Sequence, residues 1–216
     1  MKGKITVIIV LLSFAGPGFS QGFVNLDFES AMVRGYTPNS QITATNAFPG
    51  WTLSDPPAIY DGISLGGPFI SVWDTNSSGT FPIQGKFSAV LFANTLLATS
   101  ISQTGLVPDG MESLTVDIYG SPGYFSVSLG GQPLTLIPMA TGSTPGYPYT
   151  LYEAVISSFA GQVASLSFTA LALGQFGSEL IVDNIQFSSS PIPEPCELAL
   201  VAFSALVFGY RRWRRL

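Results

Sequence analysis

The chain has 216 residues, of which 46% are hydrophobic and 10% charged, with 23 glycines, 16 prolines, one cysteine and no histidine. That is enough apolar material for one sizeable core, and the glycine and proline content implies many turns. The formal charge of −5 conceals a body, residues 22–190, in which eleven acids face only Arg34 and Lys86; such a surface repels phosphate backbones and argues against nucleic-acid binding, while the missing histidine removes His-dependent zinc sites and proton shuttles.

Residues 1–20 place Lys2 and Lys4 before an apolar run at 5–15, then helix-breaking Gly16, Pro17 and Gly18 and the small Ser20. This is the order of a secretory signal peptide, and the apolar run is well short of the ~20 residues that a membrane span needs. Export with cleavage near Ser20 is therefore expected. Cys196 has no second cysteine to pair with, so the exported body must stand on packing without an intrachain disulfide.

From Gly22 to about Phe187 no useful helical period occurs, whereas two-residue alternation recurs. Residues 30–80, rich in Pro, Gly and Asn, are expected to form long loops with a few short strands at one end of the domain. After them, SAVLFAN from Ser88, SLTVDIYG from Ser113, YFSVSLGG from Tyr124, LTLI at 134–137, TLYEAVIS from Thr150, ASLSFTA from Ala164 and LIVDNIQFS from Leu180 read as strands. In SLTVDIYG, Leu114, Val116 and Ile118 share one face and Thr115, Asp117 and Tyr119 the other. Pro122-Gly123 and Gly130-Gly131 are expected to join their flanking strands as a meander of hairpins. So many short strands predict an all-β sandwich over residues 22–187, with a serine-rich linker at 188–192.

The C-terminus is PIPEPCELALVAFSALVFGYRRWRRL. Residues 198–210 are uncharged, and as a helix rising ~1.5 Å per residue they cover about two-thirds of a ~30 Å hydrocarbon core. Arg211, Arg212, Arg214 and Arg215 can snorkel to headgroups, Trp213 suits the interface, and only Ser204 and Gly209 interrupt the apolar run. A single C-terminal transmembrane helix is expected, with the arginines on the cytoplasmic side.

Pro193-Glu194-Pro195, a short apolar helix and a basic terminal cluster, in that order, resemble the PEP-CTERM sorting signal of Gram-negative bacteria that make exopolysaccharide. The resemblance implies that residues 193–216 are an address. A membrane protease-transpeptidase, exosortase, would recognise Pro193, Glu194 and Pro195 while Arg211, Arg212, Arg214 and Arg215 stop transfer. After a transient stay in the inner membrane the protein would reach the cell surface or the extracellular matrix. The two prolines keep the recognition segment extended, as a peptide presented to a protease must be.

The body segments FVNLDFES, FPGW, PIQGKFSAVLF, ISQTGLVPDG and LIVDNIQF, in that order, resemble the galactose-binding-like jelly roll of carbohydrate-binding modules. The expectation is a jelly-roll β-sandwich without catalytic residues, suited to contact with an exopolysaccharide or other glycan. In the resembling modules a structural calcium is held by a glutamate of the first strand and an aspartate of the last, positions that match Glu29 and Asp183. The parity of Asp183 with Ile181, Ile185 and Phe187 turns it toward an apolar layer, where a bare carboxylate needs a cation or several N–H donors; both remain open. Trp51, Tyr60 and Trp73 in the loop-rich segment either stack on sugar rings or pack into the core. A carboxylate pair, Asp61 with Asp74 or Asp117, is the rival reading as a surface glycan hydrolase. GISLG at Gly62 matches a nucleophile elbow in letters alone, since no histidine exists to serve as base.

Overall fold

The computed structural model of the protein describes residues 22–55, 57–62, 67–75, 81–174 and 177–191. The expected export leader and the expected sorting segment, with Pro193, Glu194, Pro195, the apolar run and Arg211, Arg212, Arg214 and Arg215, lie outside the described residues. Among the described residues no helix is long and apolar enough to cross a membrane.

The body is all-β. Its short elements come first: β1 (Ser40–Ile42), the one-turn helix α1 (Ala44–Ala47), β2 (Thr52–Leu53) and β3 (Ala58–Tyr60). The rest are β4 (Phe69–Asp74), β5 (Phe87–Ala93), β6 (Thr99–Leu106), β7 (Ser113–Tyr119), β8 (Phe125–Leu129), β9 (Gln132–Pro133), β10 (Ile137–Ser143), β11 (Pro148–Val155), β12 (Val163–Ala170) and β13 (Ser178–Ser188). An eight-stranded sheet has the order β1-β3-β4-β5-β13-β7-β11-β10, and a five-stranded sheet the order β2-β6-β12-β8-β9. From β5 onward the chain passes repeatedly from one sheet to the other, which is sandwich winding of the jelly-roll kind.

Alternation along the strands builds the core. Leu114, Val116 and Ile118 of β7, Ala89 and Leu91 of β5, and Leu180 and Val182 of β13 face Ile101 of β6, Val127 and Leu129 of β8, and Leu166 and Phe168 of β12. Each fully buried aliphatic or aromatic side chain contributes about 1.5–3 kcal/mol relative to leaving it in water, and with no disulfide this burial is what holds the sheets together. Behind the eight-stranded sheet lies a second apolar layer of Trp73, Ile83, Val90 and Ile181, with Phe92, Tyr119, Tyr147 and Tyr149 against it. All six residues of β4 are buried for that reason.

Several expectations are corrected. Pro122-Gly123 does not close a hairpin: β7 and β8 belong to different sheets, so the turn carries the chain across the sandwich. Gly130-Gly131 does close one, with Leu129 opposite Gln132 and φ of +58° and +77° at the two glycines, a left-handed pair that glycine adopts without strain. LTLI at 134–137 is largely outside any strand, and the chain pairs instead over β9 and β10. Residues 30–80 are not confined to one end, because β3 and β4 pair within the large sheet and β2 joins the small one.

Both described ends of the body lie at one end of the sandwich. Gly22 bridges Leu106, the rings of Phe23 and Phe187 are 5.1 Å apart, and Ser188 pairs with Ser113. β13 runs from there to Ser178 at the opposite end.

Candidate functional site

At that opposite end an open cleft of about 480 Å³ forms where β7, β11 and β13 meet the 120–124 turn. Tyr119, Tyr124 and Tyr149, all partly exposed, line it with Glu179, Ser121, Thr141 and Thr150. Glycines let the walls come together: a Cβ on Gly120 would lie 3.1 Å from Phe125 Cδ1, and one on Gly142 would run into the Tyr149 ring, which lies over the edge strand β10. Tyr119 packs tilted against Tyr147 with ring centroids 4.6 Å apart, and Tyr147 in turn lies 6.2 Å from Trp73, so the aromatic lining is braced from below. The Tyr147 hydroxyl donates to the Phe81 carbonyl. Burial, with the nearby Glu179 charge second, pushes that phenol well above the usual tyrosine range, and burial also raises the Glu179 carboxyl. The cleft thus offers ring faces, hydroxyls and one carboxylate, the groups with which a protein surface holds a polyhydroxylated ring.

Asp183 and Glu29 grip one short segment, residues 84–88, from two sides. Asp183 is 0% exposed. Its Oδ2 accepts from the Gln84 N–H at 2.9 Å and the Ser88 hydroxyl at 2.6 Å, and its Oδ1 from the Asn184 N–H at 2.7 Å. Glu29 Oε1 accepts from the N–H groups of Lys86 at 2.7 Å and Phe87 at 3.1 Å. Gly85 sits between them at φ +60°, where a Cβ would strike the Glu29 carboxylate. Burial pushes the Asp183 carboxyl up to about 7 against these hydrogen bonds, and the Glu29 charge adds to the rise. Among the described residues no group of three or more His, Cys, Asp or Glu side chains could hold a metal. An ionised carboxylate has about four lone-pair directions, so three donors on Asp183 and two on Glu29 leave acceptor capacity on both for a hard cation, whose remaining ligands would be carbonyls or water.

The route by which Asp183 becomes buried differs from the parity argument. Ile181 and Asp183 both face the outer layer, and the register shifts between Asp183 and Gln186, with Asn184 at φ +49°. This bulge turns the strand over, so Ile185 and Phe187 return to the inner core. Glu29 lies in a turn, because Asn25 and Phe28 adopt φ of +51° and +57° and break the strand expected there.

The three aromatics singled out in the sequence are core residues. Trp51, Tyr60 and Trp73 are only 6%, 6% and 5% exposed. Trp51 packs between Phe28 at 5.5 Å and Phe168 at 6.2 Å and donates its indole N–H to the Asn25 carbonyl. Tyr60 donates its hydroxyl to Asp74, and Trp73 donates its indole N–H to the Gly62 carbonyl. None presents a ring face to solvent. The tyrosines that stay partly exposed are Tyr119, Tyr124 and Tyr149, and the sequence signalled them in SLTVDIYG, whose outward face ends in Tyr119.

Asp61 and Asp74 do meet: the Asp74 N–H donates to Asp61 Oδ1 at 2.7 Å. Both are 2% exposed, which puts them out of reach of a polymeric substrate. Asp117 on β7 lies four strand spacings from β3, which Asp61 directly follows, about 19 Å across the same sheet and beyond the roughly 9.5 Å at which two carboxylates flank a glycosidic bond. It stands opposite Asp183, accepts from the Asn184 side chain at 2.9 Å, and is raised chiefly by burial.

No family model and no curated protein matches the chain. Among solved structures it is similar to TmCBM61 in complex with β-1,4-galactotriose, at 13% identity and a TM-score of 0.43, over 78% of this chain and 97% of that one. It is also similar to TmCBM27, a carbohydrate-binding module studied for specific mannan recognition, at 12% identity and a TM-score of 0.37, over 68% and 93% of the two chains. A third similarity is to the enzymatically active domain of tailspike protein 4 of bacteriophage CBA120, at 15% identity and a TM-score of 0.36; it covers 64% of this chain and 19% of that one.

Proposed function

We propose that the body is a non-catalytic glycan-binding sandwich and that the tyrosine cleft is its binding surface. The observation that carries this reading is the grouping of Tyr119, Tyr124 and Tyr149 with Glu179 in one open cleft, at the end of the domain away from both described chain ends. Partly exposed ring faces stack on the apolar face of a pyranose, and the surrounding hydroxyls and carboxylate take its polar edge. The test is affinity electrophoresis of the purified full chain through gels containing neutral polysaccharides. Wild type is retarded by at least one of them, Tyr119→Ala with Tyr149→Ala abolishes the retardation, and no reducing sugar is released. Retardation that survives the double substitution, or release of reducing sugar, refutes the reading.

In the same proposal the tail serves as a PEP-CTERM address, handing the exported precursor to an exosortase at the inner membrane and leaving the body at the cell surface or in the matrix. Support comes from the order of the Pro193-Glu194-Pro195 element, the apolar run and the arginines. Replacing all three residues of the element with alanine is expected to trap the precursor in the membrane fraction. Unchanged surface delivery of that variant would remove the tail from the proposal.

A structural Ca²⁺ between Glu29 and Asp183 completes it. The observation in its favour is the rise of the Asp183 carboxyl under burial and the neighbouring Glu29 charge, which a divalent cation would relieve. Chelator is expected to lower the melting temperature of the full chain, and Asp183→Ala to abolish that sensitivity. An unchanged melting curve in chelator rules the metal out.

A further inference from the structure

Among the described residues Glu179 is the one carboxylate lining the tyrosine cleft, and neither described base, Arg34 or Lys86, is among the lining residues. It is partly buried, and it makes itself felt on Tyr147, the phenol that braces Tyr119. A carboxylate so placed accepts hydrogen bonds and attracts positive charge, but its ionised form is poorly solvated until a donor or a cation arrives. Around it, the faces of Tyr119, Tyr124 and Tyr149 carry the negative side of the ring quadrupole, which attracts ammonium groups within about 6 Å of a ring centre.

The field beyond the cleft has the same sign. Eleven acids against two bases in the body draw cationic polymers toward the surface and turn away uronates and sulfated sugars.

We infer that the cleft prefers a glycan bearing protonated amines, a de-N-acetylated hexosamine polymer, with one ammonium seated against Glu179 and the tyrosine faces. This rests on the reading of the cleft as the glycan site and adds the chemical class of the ligand to it. An N-acetyl group in place of the amine removes the charge and adds bulk at the carboxylate. A uronic acid places like charge against Glu179.

The experiment compares retardation of the full chain by chitosan, by its fully N-acetylated counterpart in soluble oligomeric form and by neutral β-1,4-galactan, at fixed pH and at two salt concentrations. The expected result is a preference of about tenfold for chitosan over the acetylated form, weakened by salt, as a partly desolvated charge pair produces. Glu179→Gln should remove that preference. Asp55→Asn, which alters the net charge equally at an exposed position outside the cleft, should keep it. Melting temperatures of both variants confirm that they are folded. Equal retardation by chitosan and its acetylated form overturns the inference, and so does a preference that Glu179→Gln leaves intact. If galactan is retarded through Tyr149 while chitosan shows no advantage, the ligand class alone is wrong. If none of the three polymers is retarded, the cleft itself is not a glycan site.

Discussion

Replacing Asp183 with asparagine separates its charge from its hydrogen bonds. In the folded protein burial lifts the carboxyl to about 7, whereas an unfolded chain titrates an aspartate near 3.9. Between those values the folded state holds a proton that the unfolded state has lost. The contribution of Asp183 to stability is therefore fully present below about pH 4 and lost as pH rises to about 7. A gap of about three pH units, at ~1.4 kcal/mol each, makes roughly 4 kcal/mol. For a body of this size that is roughly 8–16 °C in melting temperature. Asparagine keeps the shape but turns an NH₂ toward one of the three donors, the N–H groups of Gln84 and Asn184 or the Ser88 hydroxyl. The resulting clash costs about 1–3 kcal/mol. Thermal melts of the full chain in chelator, from pH 4 to 8, should show the wild type losing stability as pH rises. Asp183→Asn should start lower at acid pH and show a much flatter profile. Asp117 and Glu179, both raised by burial, give the residual slope the same sign. A wild-type profile that is flat over this range, or a slope undiminished by the substitution, would show that Asp183 does not titrate in this window.

Gly85→Ala should destabilise by about 1–2 kcal/mol from its left-handed backbone alone, with more from the displaced Glu29 carboxylate, read as a lower denaturant midpoint. Trp51→Ala empties the space between Phe28 and Phe168 and should cost about 3–5 kcal/mol by the same measurement. Its retardation by glycan gels, measured below the melting temperature, should match wild type, because Trp51 is remote from the cleft. Gly142→Val forces the Tyr149 ring off β10, so glycan retention should fall while the melting temperature changes little.

The strands that alternate cleanly were legible. SLTVDIY, ASLSFTA and LIVDNIQFS all fold as strands within a residue or two of where alternation places them. β6 hid because only Ile101 of its four buried positions is apolar, while Thr99, Gln103 and Gly105 are polar or side-chain-free and break the rhythm. Gln103 earns its burial by pairing with the main chain of Val24 in both directions. β10 hid for the opposite reason: as an exposed edge it has no buried face to write into its sequence. The sequence left Trp51, Tyr60 and Trp73 open between sugar stacking and core packing because a loop-rich composition says nothing of depth; β3 and β4 carry Tyr60 and Trp73 inward, and Trp51 is buried just before β2. The cleft could not be read at all from local pattern, since it joins Tyr119, Tyr149 and Glu179 from strands that become neighbours only when the sheet is assembled.

The two described ends of the body leave side by side, with Phe23 and Phe187 touching, and β13 separates them from the cleft by eleven residues, about 35 Å of extended chain. A unit with this layout can be spliced into a host protein through a single attachment point, or hung from a support, without covering the tyrosine cleft. Whatever the polypeptide is tied to, the tyrosines look the other way.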